Sequence, residues 1–199
     1  MSIINVVTIK SVSIMNNAPL NVKPMNAISY RLMAFLIRRM KPRIFVMTLL
    51  KQARVTQGKT VLDYACGPGV FSLAAAENVG ESGYVYAADI QPLAVAEVNK
   101  RAQKEGLTNL STINTDCNTH LPDGSVDVVL LFDCFHNFKD PRPILSEMHR
   151  VLKPAGILAV QIDHFDPARS TLLIEQSGLF IIEERFPAHK HFIFRPVQQ

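Results

Sequence analysis

The sequence predicts an α/β domain with a seven-stranded, mostly parallel sheet, helices on both faces and one antiparallel strand near the C-terminus. Three observations carry this. From residue 60 onward, short β-branched apolar runs alternate with helical stretches, the pattern of strands joined by crossover helices. Two of the runs, SVDVVLLFD in 125–133 and ILAVQID in 157–163, are mainly apolar, as strands covered on both faces are. The last two runs have no helix between them, which forces them antiparallel. With 199 residues, 48% hydrophobic and 19% charged, the chain suits one compact domain with a sizeable core.

Taken in order, TVLDYA (60–65) reads as the first strand and FSLAAAENV (71–79) as an Ala-rich helix. GYVYAADI (83–90) is a strand. PLAVAEVNKRAQKEG (92–106) is a helix with Pro92 at its start and Gly106 past its end. NLSTINTD (109–116) is a weaker strand and SVDVVLLFD (125–133) a buried one. PRPILSEMHRVLKPAG (141–156) reads as a helix stopped by Pro154 and Gly156, followed by the strand ILAVQID (157–163). PARSTLLIEQSG (167–178) is a helix. LFIIEERFPA (179–188) and KHFIFRPV (190–197) form the closing strand pair.

Ahead of this domain, assigned to residues 58–199, residues 1–57 read as a basic, mostly helical cap. Its first ~25 residues read as an edge strand or a disordered leader, and Met15 and Met25 are alternative starts beside Met1. In residues 26–57, Ile28, Leu32, Phe35 and Leu36 recur at helical spacing, with Arg31, Arg38 and Arg39 left for another face. Pro42 should break or kink that helix, and IFVMTLLKQARV (44–55) resumes it. Residues 1–60 hold ten Lys or Arg and no acid, whereas residues 61–199 hold eleven Lys or Arg and all 17 acids, a net −6. The N-terminus is a poor secretory signal because Asn5 and Lys10 interrupt its apolar run. Nothing approaches the ~20 uninterrupted apolar residues of a membrane span. Three scattered cysteines, Cys66, Cys117 and Cys134, form neither a disulfide framework nor a metal pair, which points to a reducing, cytoplasmic setting.

The densest chemical signal is VLDYACGPGVFS at 61–72, with Asp89 ending the next strand. The chain must turn sharply from strand to helix. Gly67 and Gly69 permit that turn and let a ligand approach the backbone. The free N–H groups of a new helix suit an anion such as a pyrophosphate, but Asp63 beside the loop repels phosphate and attracts an ammonium group. Asp89, twenty residues after Gly69, is placed to accept bonds from both ribose hydroxyls. Asp116, ending the third strand, is placed to hold an exocyclic amino group. Three acids at successive strand ends match S-adenosylmethionine: a cationic amino-acid tail, a ribose and an adenine.

At this point the chain resembles the class I S-adenosylmethionine-dependent methyltransferases of the small, single-domain, Rossmann-like type. The resemblance covers roughly residues 58–195, through VLDYACGPG, VYAADI, NTDCNTHLPDGSVDVVLLFDCFHNF and EMHRVLKPAGILAV in that order. It implies that Asp63 and the backbone at Ala65, Gly67 and Gly69 surround the methionine moiety. It puts Asp89 on the ribose, Ile90 against the adenine, Asp116 on the adenine amino group and the Cys117 N–H on a ring nitrogen. Phe132 and Asp133 would border the sulfonium and the acceptor. Ala65 departs from the glycine many members have, and its Cβ is expected to be harmless.

The acceptor is less legible. His136, in FDCFHNF, is the candidate to orient or deprotonate a nucleophile, against the plainer reading of a pocket wall. Tyr30, Phe35, Cys134 and His164 are the remaining acceptor-side candidates, with Cys134 read in preference as a packed residue. His120, His189 and His191 read as surface or structural, and no cluster has metal-ligand spacing. Asp63, Asp89 and Asp116 have turn-capping readings of their own. The expected reaction is methyl transfer from S-adenosylmethionine, leaving S-adenosylhomocysteine, to a small or lipid-like acceptor. The basic cap is a candidate membrane-peripheral or acidic-partner contact. No aromatic-basic motif supports a nucleic-acid partner, and no oligomeric state is specified. The alternatives are a nicotinamide-dependent oxidoreductase, which Asp63 disfavours, and a non-catalytic binding protein of the same fold.

Overall fold

A computed structural model describes residues 23–163 and 166–198. The expectations for residues 1–22, including a start at Met15, and for His164 lie outside the described residues. The elements are α1 (Ala27–Met40), α2 (Arg43–Gln52), β1 (Thr60–Tyr64), α3 (Val70–Val79), β2 (Tyr84–Asp89), α4 (Pro92–Glu105), β3 (Leu110–Asn114), β4 (Val126–Phe132), α5 (Arg142–Val151), β5 (Leu152–Gln161), α6 (Pro167–Gln176), β6 (Phe180–Phe186) and β7 (His191–Pro196). The seven strands run in the order β3-β2-β1-β4-β5-β7-β6. All neighbouring pairs are parallel except β5–β7 and β6–β7, so β7 is the one reversed strand.

Side chains alternate across each strand, and both faces are covered. On β4, Val128, Leu130 and Phe132 join Val61, Val85 and Ile193 beneath α2 and α3, whose Leu49, Leu50, Ala75 and Val79 fill that layer. Val129 and Leu131 join Leu62, Leu158 and Phe194 on the opposite face, under Leu145, Met148 and Val151 of α5 and Ile174 of α6. This two-sided burial is why β4 is apolar without a break from Val128 to Phe132.

Local signals end the helices where chemistry requires. α4 has Pro92 in its first turn and Gly106 beyond its end in the left-handed conformation (φ 68°). The Asn26 side chain caps α1 by accepting the Ser29 N–H at 3.0 Å. Pro42 separates α1 from α2 and stands at the N-cap of the latter. One expectation is corrected: the helix over 141–156 ends at Val151. Pro154 disfavours helical backbone at Lys153, and Leu152 is already extended (ψ 135°). Residues 153–156 bulge out of the ladder, because Val126 pairs with Leu152 and Val128 with Ile157. Lys190 likewise belongs to the β6–β7 turn (φ 46°), and β7 begins at His191.

The strand order reverses direction between β1 and β4. In open parallel sheets this switch point opens a crevice beyond the strands' C-terminal ends, and the site lies there.

Candidate active site

A cavity of about 530 Å³ opens over the C-terminal ends of β1, β2 and β4, roofed by α1. Its floor begins with Asp63. This carboxylate is 2% exposed and accepts the Ser72 hydroxyl at 2.5 Å. The Ser72 backbone N–H also bonds it, so Asp63 caps the first turn of α3 while facing the cavity. Burial, with the nearby Asp89 charge adding to it, pushes Asp63 up to about 7 against the pull of Ser72.

Asp89 is the most constrained of the acids that line the cavity. Its Oδ2 accepts the Gly67 N–H at 2.7 Å and its Oδ1 the Gln91 N–H at 2.8 Å. These bonds lock the glycine loop to the end of β2 and leave the outer lone pairs of both oxygens for a ligand. Burial raises Asp89, and the backbone donors at Gln91, Gly67 and Ile90 offset part of that. The two glycines of the loop differ in what they permit. Gly67 is left-handed (φ 52°), and no protein atom lies within 4 Å of a Cβ built there, so a side chain would fill ligand space. At Gly69 a Cβ would meet Val98 Cγ2 at 2.5 Å, so this glycine lets α3 pack on α4.

The structure brings Asp63, Ala65, Gly67, Asp89, Ile90, Asp116, Phe132, Asp133, Cys134 and Tyr30 around this one cavity. Gly69, Cys117, Phe35 and His136 are not on its wall. The Cys117 N–H is turned to the Thr115 hydroxyl at 3.2 Å. Phe35 is on the outer side of α1, 56% exposed. His136 is exposed on the one-turn helix Phe135–Asn137. Burial raises the Cys66 and Cys134 thiols well above their usual range, which keeps them protonated and packed.

Several wall residues carry only weak signals in the sequence. Gln91 caps α4 and its side chain donates to the Met25 carbonyl at 2.7 Å, tying the cap to the sheet. Its place just before Pro92 is a usable signal. Tyr64 lines the wall and donates to the Asp116 carbonyl at 2.9 Å. Lys41, from the α1–α2 break, reaches Asp163 at 3.2 Å and Asp133 at 3.7 Å, with the Phe45 and Phe71 rings each 5.6 Å from its ammonium. At the far end of the roof, the Tyr30 hydroxyl donates to Glu97 of α4 at 3.2 Å, and Arg38 pairs with the same carboxylate. Burial pushes Tyr30 up to about 12, so it stays a donor. Met33, Ile37, Phe71, Phe132 and Phe138 make the remaining wall apolar.

A family model for a methyltransferase domain matches residues 55–183. The chain therefore belongs to the methyltransferase domain family, in its class I, S-adenosylmethionine-dependent form. It is 34% identical over 110 residues to a protein named demethylmenaquinone methyltransferase from Geobacillus stearothermophilus, covering 55% of this chain and 47% of that one. The chain thus spans about half the length of the curated relatives it matches. Among solved structures, an S-adenosylmethionine-dependent methyltransferase from Aquifex aeolicus superposes with a TM-score of 0.74 at 24% identity, over 82% of this chain and 98% of that one. The [4+2]-cyclase SpnF matches at 0.61 and 21% identity, over 70% and 57%. These two show the shared fold. Fold alone does not assign a reaction.

The site's own chemistry fits the family's cofactor. Among the described residues, no cation pairs with Asp63, a buried carboxylate facing the cavity, a setting that suits an ammonium group. Asp89 presents organised acceptors for two hydroxyls, and Gly67 leaves the space they need.

Proposed function

We propose that the chain transfers the methyl group of S-adenosylmethionine to a lipid-like acceptor of the quinol class. The observation that carries this is one continuous cavity with two unlike halves. One is lined by Asp63, Asp89 and Asp116 at strand ends. The other is lined by Met33, Ile37, Phe71, Phe132 and Phe138, with Lys41 among them. The names of the curated relatives support a quinone-type acceptor, and the apolar half suits its ring system.

In this reading Asp63 holds the ammonium of the cofactor's amino-acid part. Asp89 accepts from the ribose, Ile90 packs on the adenine and Asp116 takes its amino group. S-adenosylmethionine supplies an already activated methyl group when bound, so the chain's work is alignment and exclusion of water. α1 serves both ends by closing the cavity. The quinol loses a hydroxyl proton to solvent before transfer, so its oxyanion is the attacking species, and the methyl–sulfur electron pair leaves with the sulfur. The Lys41 ammonium, beside Asp133 and Asp163, is positioned to stabilise the resulting oxyanion. His136, exposed and off the wall, has no part in the proposal. The three buried free thiols suit the reducing, cytoplasmic setting that the proposal retains.

The test has two stages. S-adenosylhomocysteine should raise the melting temperature and NADH should not. The chain should then convert a short-chain demethylated naphthoquinol, kept reduced, to a product heavier by one methylene. Stabilisation by NADH alone would return the oxidoreductase reading. Stabilisation by S-adenosylhomocysteine without methylation of any quinol would leave a binding protein of the same fold.

A further inference from the structure

α1 is apolar on two opposite sides, and the structure accounts for one of them. Tyr30 and Ala34 are buried and Met33 and Ile37 line the cavity. The other side carries Ile28, Leu32, Phe35 and Leu36, continued by Met40 and by Ile44 of α2, all exposed, Ile28 to 81%. Among the described residues, seven of the ten exposed large apolar side chains fall within residues 25–44, so this is a concentrated patch and not scattered surface. A helix with apolar side chains on two opposite sides needs a partner for its free side.

Charge selects the partner. Arg38 and Arg43 are engaged by Glu97 and Glu77. Arg31 and Arg39 are exposed on the apolar side or its border and have no ion pair among the described residues. A second copy packed symmetrically on this face would set these arginines against themselves, and residues 1–60 hold no acid to relieve it. Residues 1–22 carry Lys10 and no acid, so they would leave the arginines unanswered too. An anionic bilayer answers both features, taking the apolar side chains at its interface while arginines reach the headgroups. The net −6 of residues 61–199 orients the remainder away from such a surface. No described helix is long and apolar enough to cross a membrane, which leaves an in-plane contact.

We infer that the outer face of α1, extended by Met40 and Ile44, docks the protein on an anionic phospholipid surface. Since the inner face of the same helix walls the cavity, docking brings the cavity to the bilayer without a separate anchor. The inference stands on this surface alone and is independent of the acceptor proposed above.

Co-sedimentation of the full chain with vesicles tests it, comparing phosphatidylcholine alone with phosphatidylcholine containing phosphatidylglycerol. Binding should be about tenfold or more tighter to the anionic vesicles and should weaken with added salt. The pairs Ile28→Glu/Leu32→Glu and Arg31→Glu/Arg39→Glu should each lower it by about tenfold or more. Both pairs are exposed, so an unchanged melting temperature and unchanged stabilisation by S-adenosylhomocysteine would certify the fold. Equal or absent binding to the two vesicle types overturns the inference. In that event, a dimer dissolved by Ile28→Glu/Leu32→Glu would assign the face to a second copy, and a concentration-independent monomer would assign it to residues 1–22. Failure of the wild-type chain to respond to S-adenosylhomocysteine would count against the functional proposal and leave this one standing.

Discussion

The two halves of the cavity are held by different physics. The acidic half sits on the ends of β1, β2 and β3, and backbone N–H groups of Gly67 and Gln91 fix its central carboxylate. The apolar half is roofed by α1, which precedes the sheet in sequence and is tied down by a few polar side chains: Gln91 to Met25, Tyr30 and Arg38 to Glu97, Lys41 to Asp163. A cradle made of backbone on paired strands accepts little change, whereas a roof on side-chain tethers is free to vary with the acceptor. The two halves should therefore respond differently to substitution.

The largest contrast is expected at Asp89. Asp89→Ala removes a charged acceptor from two buried N–H donors and from the ligand, each such bond being worth roughly 1.5–3 kcal/mol. Affinity for S-adenosylhomocysteine should fall at least about a hundredfold by calorimetry, with a lower melting temperature even without ligand. Phe35→Ala, on the far side of α1, should leave the affinity unchanged. An Asp89→Ala chain that still binds normally would remove the acidic half from the cofactor reading.

Lys41 probes the other half. Lys41→Met keeps most of the stem and deletes the ammonium that lies 5.6 Å from the Phe45 and Phe71 rings. If Lys41 steadies an oxyanion, kcat for quinol methylation should drop about ten- to a hundredfold, while S-adenosylhomocysteine affinity stays within about twofold. A matching loss in cofactor affinity would mean that the two halves are not separable.

The legibility of the molecule follows the same division. The acidic half is readable because its chemistry is local: VLDYACGPG and Asp89 are fixed by strand ends and turn geometry that leave residue-level signals. The mostly parallel sheet and its single reversed strand are readable for the same reason. The roof is not, because which face of α1 turns inward depends on contacts with α4 that are distant in sequence. Ile28, Leu32, Phe35 and Leu36 look like a core stripe by spacing, yet Tyr30 and Ala34 take the inner positions. His136 follows a strand end closely in sequence, and a one-turn helix carries it off the wall. Lys41 gives no signal beyond its position beside Pro42.

A pH profile sharpens the comparison further. Asp63 is raised to about 7, chiefly by burial. In the ligand-free protein, the folded value lies above the unfolded one. The stability it contributes is therefore complete below about pH 4 and is lost as pH rises through 7. Binding of a cationic ligand has the opposite sign, because only the ionised carboxylate pairs with an ammonium. Affinity for S-adenosylhomocysteine should rise with pH by up to about tenfold per unit below 7 and level off above it. Asp63→Asn should flatten both trends. If the slope survives in Asp63→Asn, another group is titrating and Asp63 is only a cap.

The smallest expected effect concerns Ala65, where a left-handed backbone (φ 60°) makes the Cβ less innocuous than its size suggests. The position immediately follows β1 and lies on the cavity wall, so it cannot relax without moving the glycine loop that Asp89 holds. Left-handed backbone costs a residue with a Cβ roughly 1–2 kcal/mol. Glycine removes that cost but adds about 0.4–1 kcal/mol of unfolded-state entropy. Ala65→Gly should thus stabilise the protein by about 0.5–1 kcal/mol, a rise of roughly 1–4 °C in melting temperature for a domain of this size. Asp133, also left-handed (φ 52°) but at the apolar half, is a useful control, since aspartate tolerates this conformation better than alanine does. Asp133→Gly should gain less. A fall in melting temperature for Ala65→Gly would show that the Ala65 methyl contributes more through packing against its core neighbours than its backbone conformation costs.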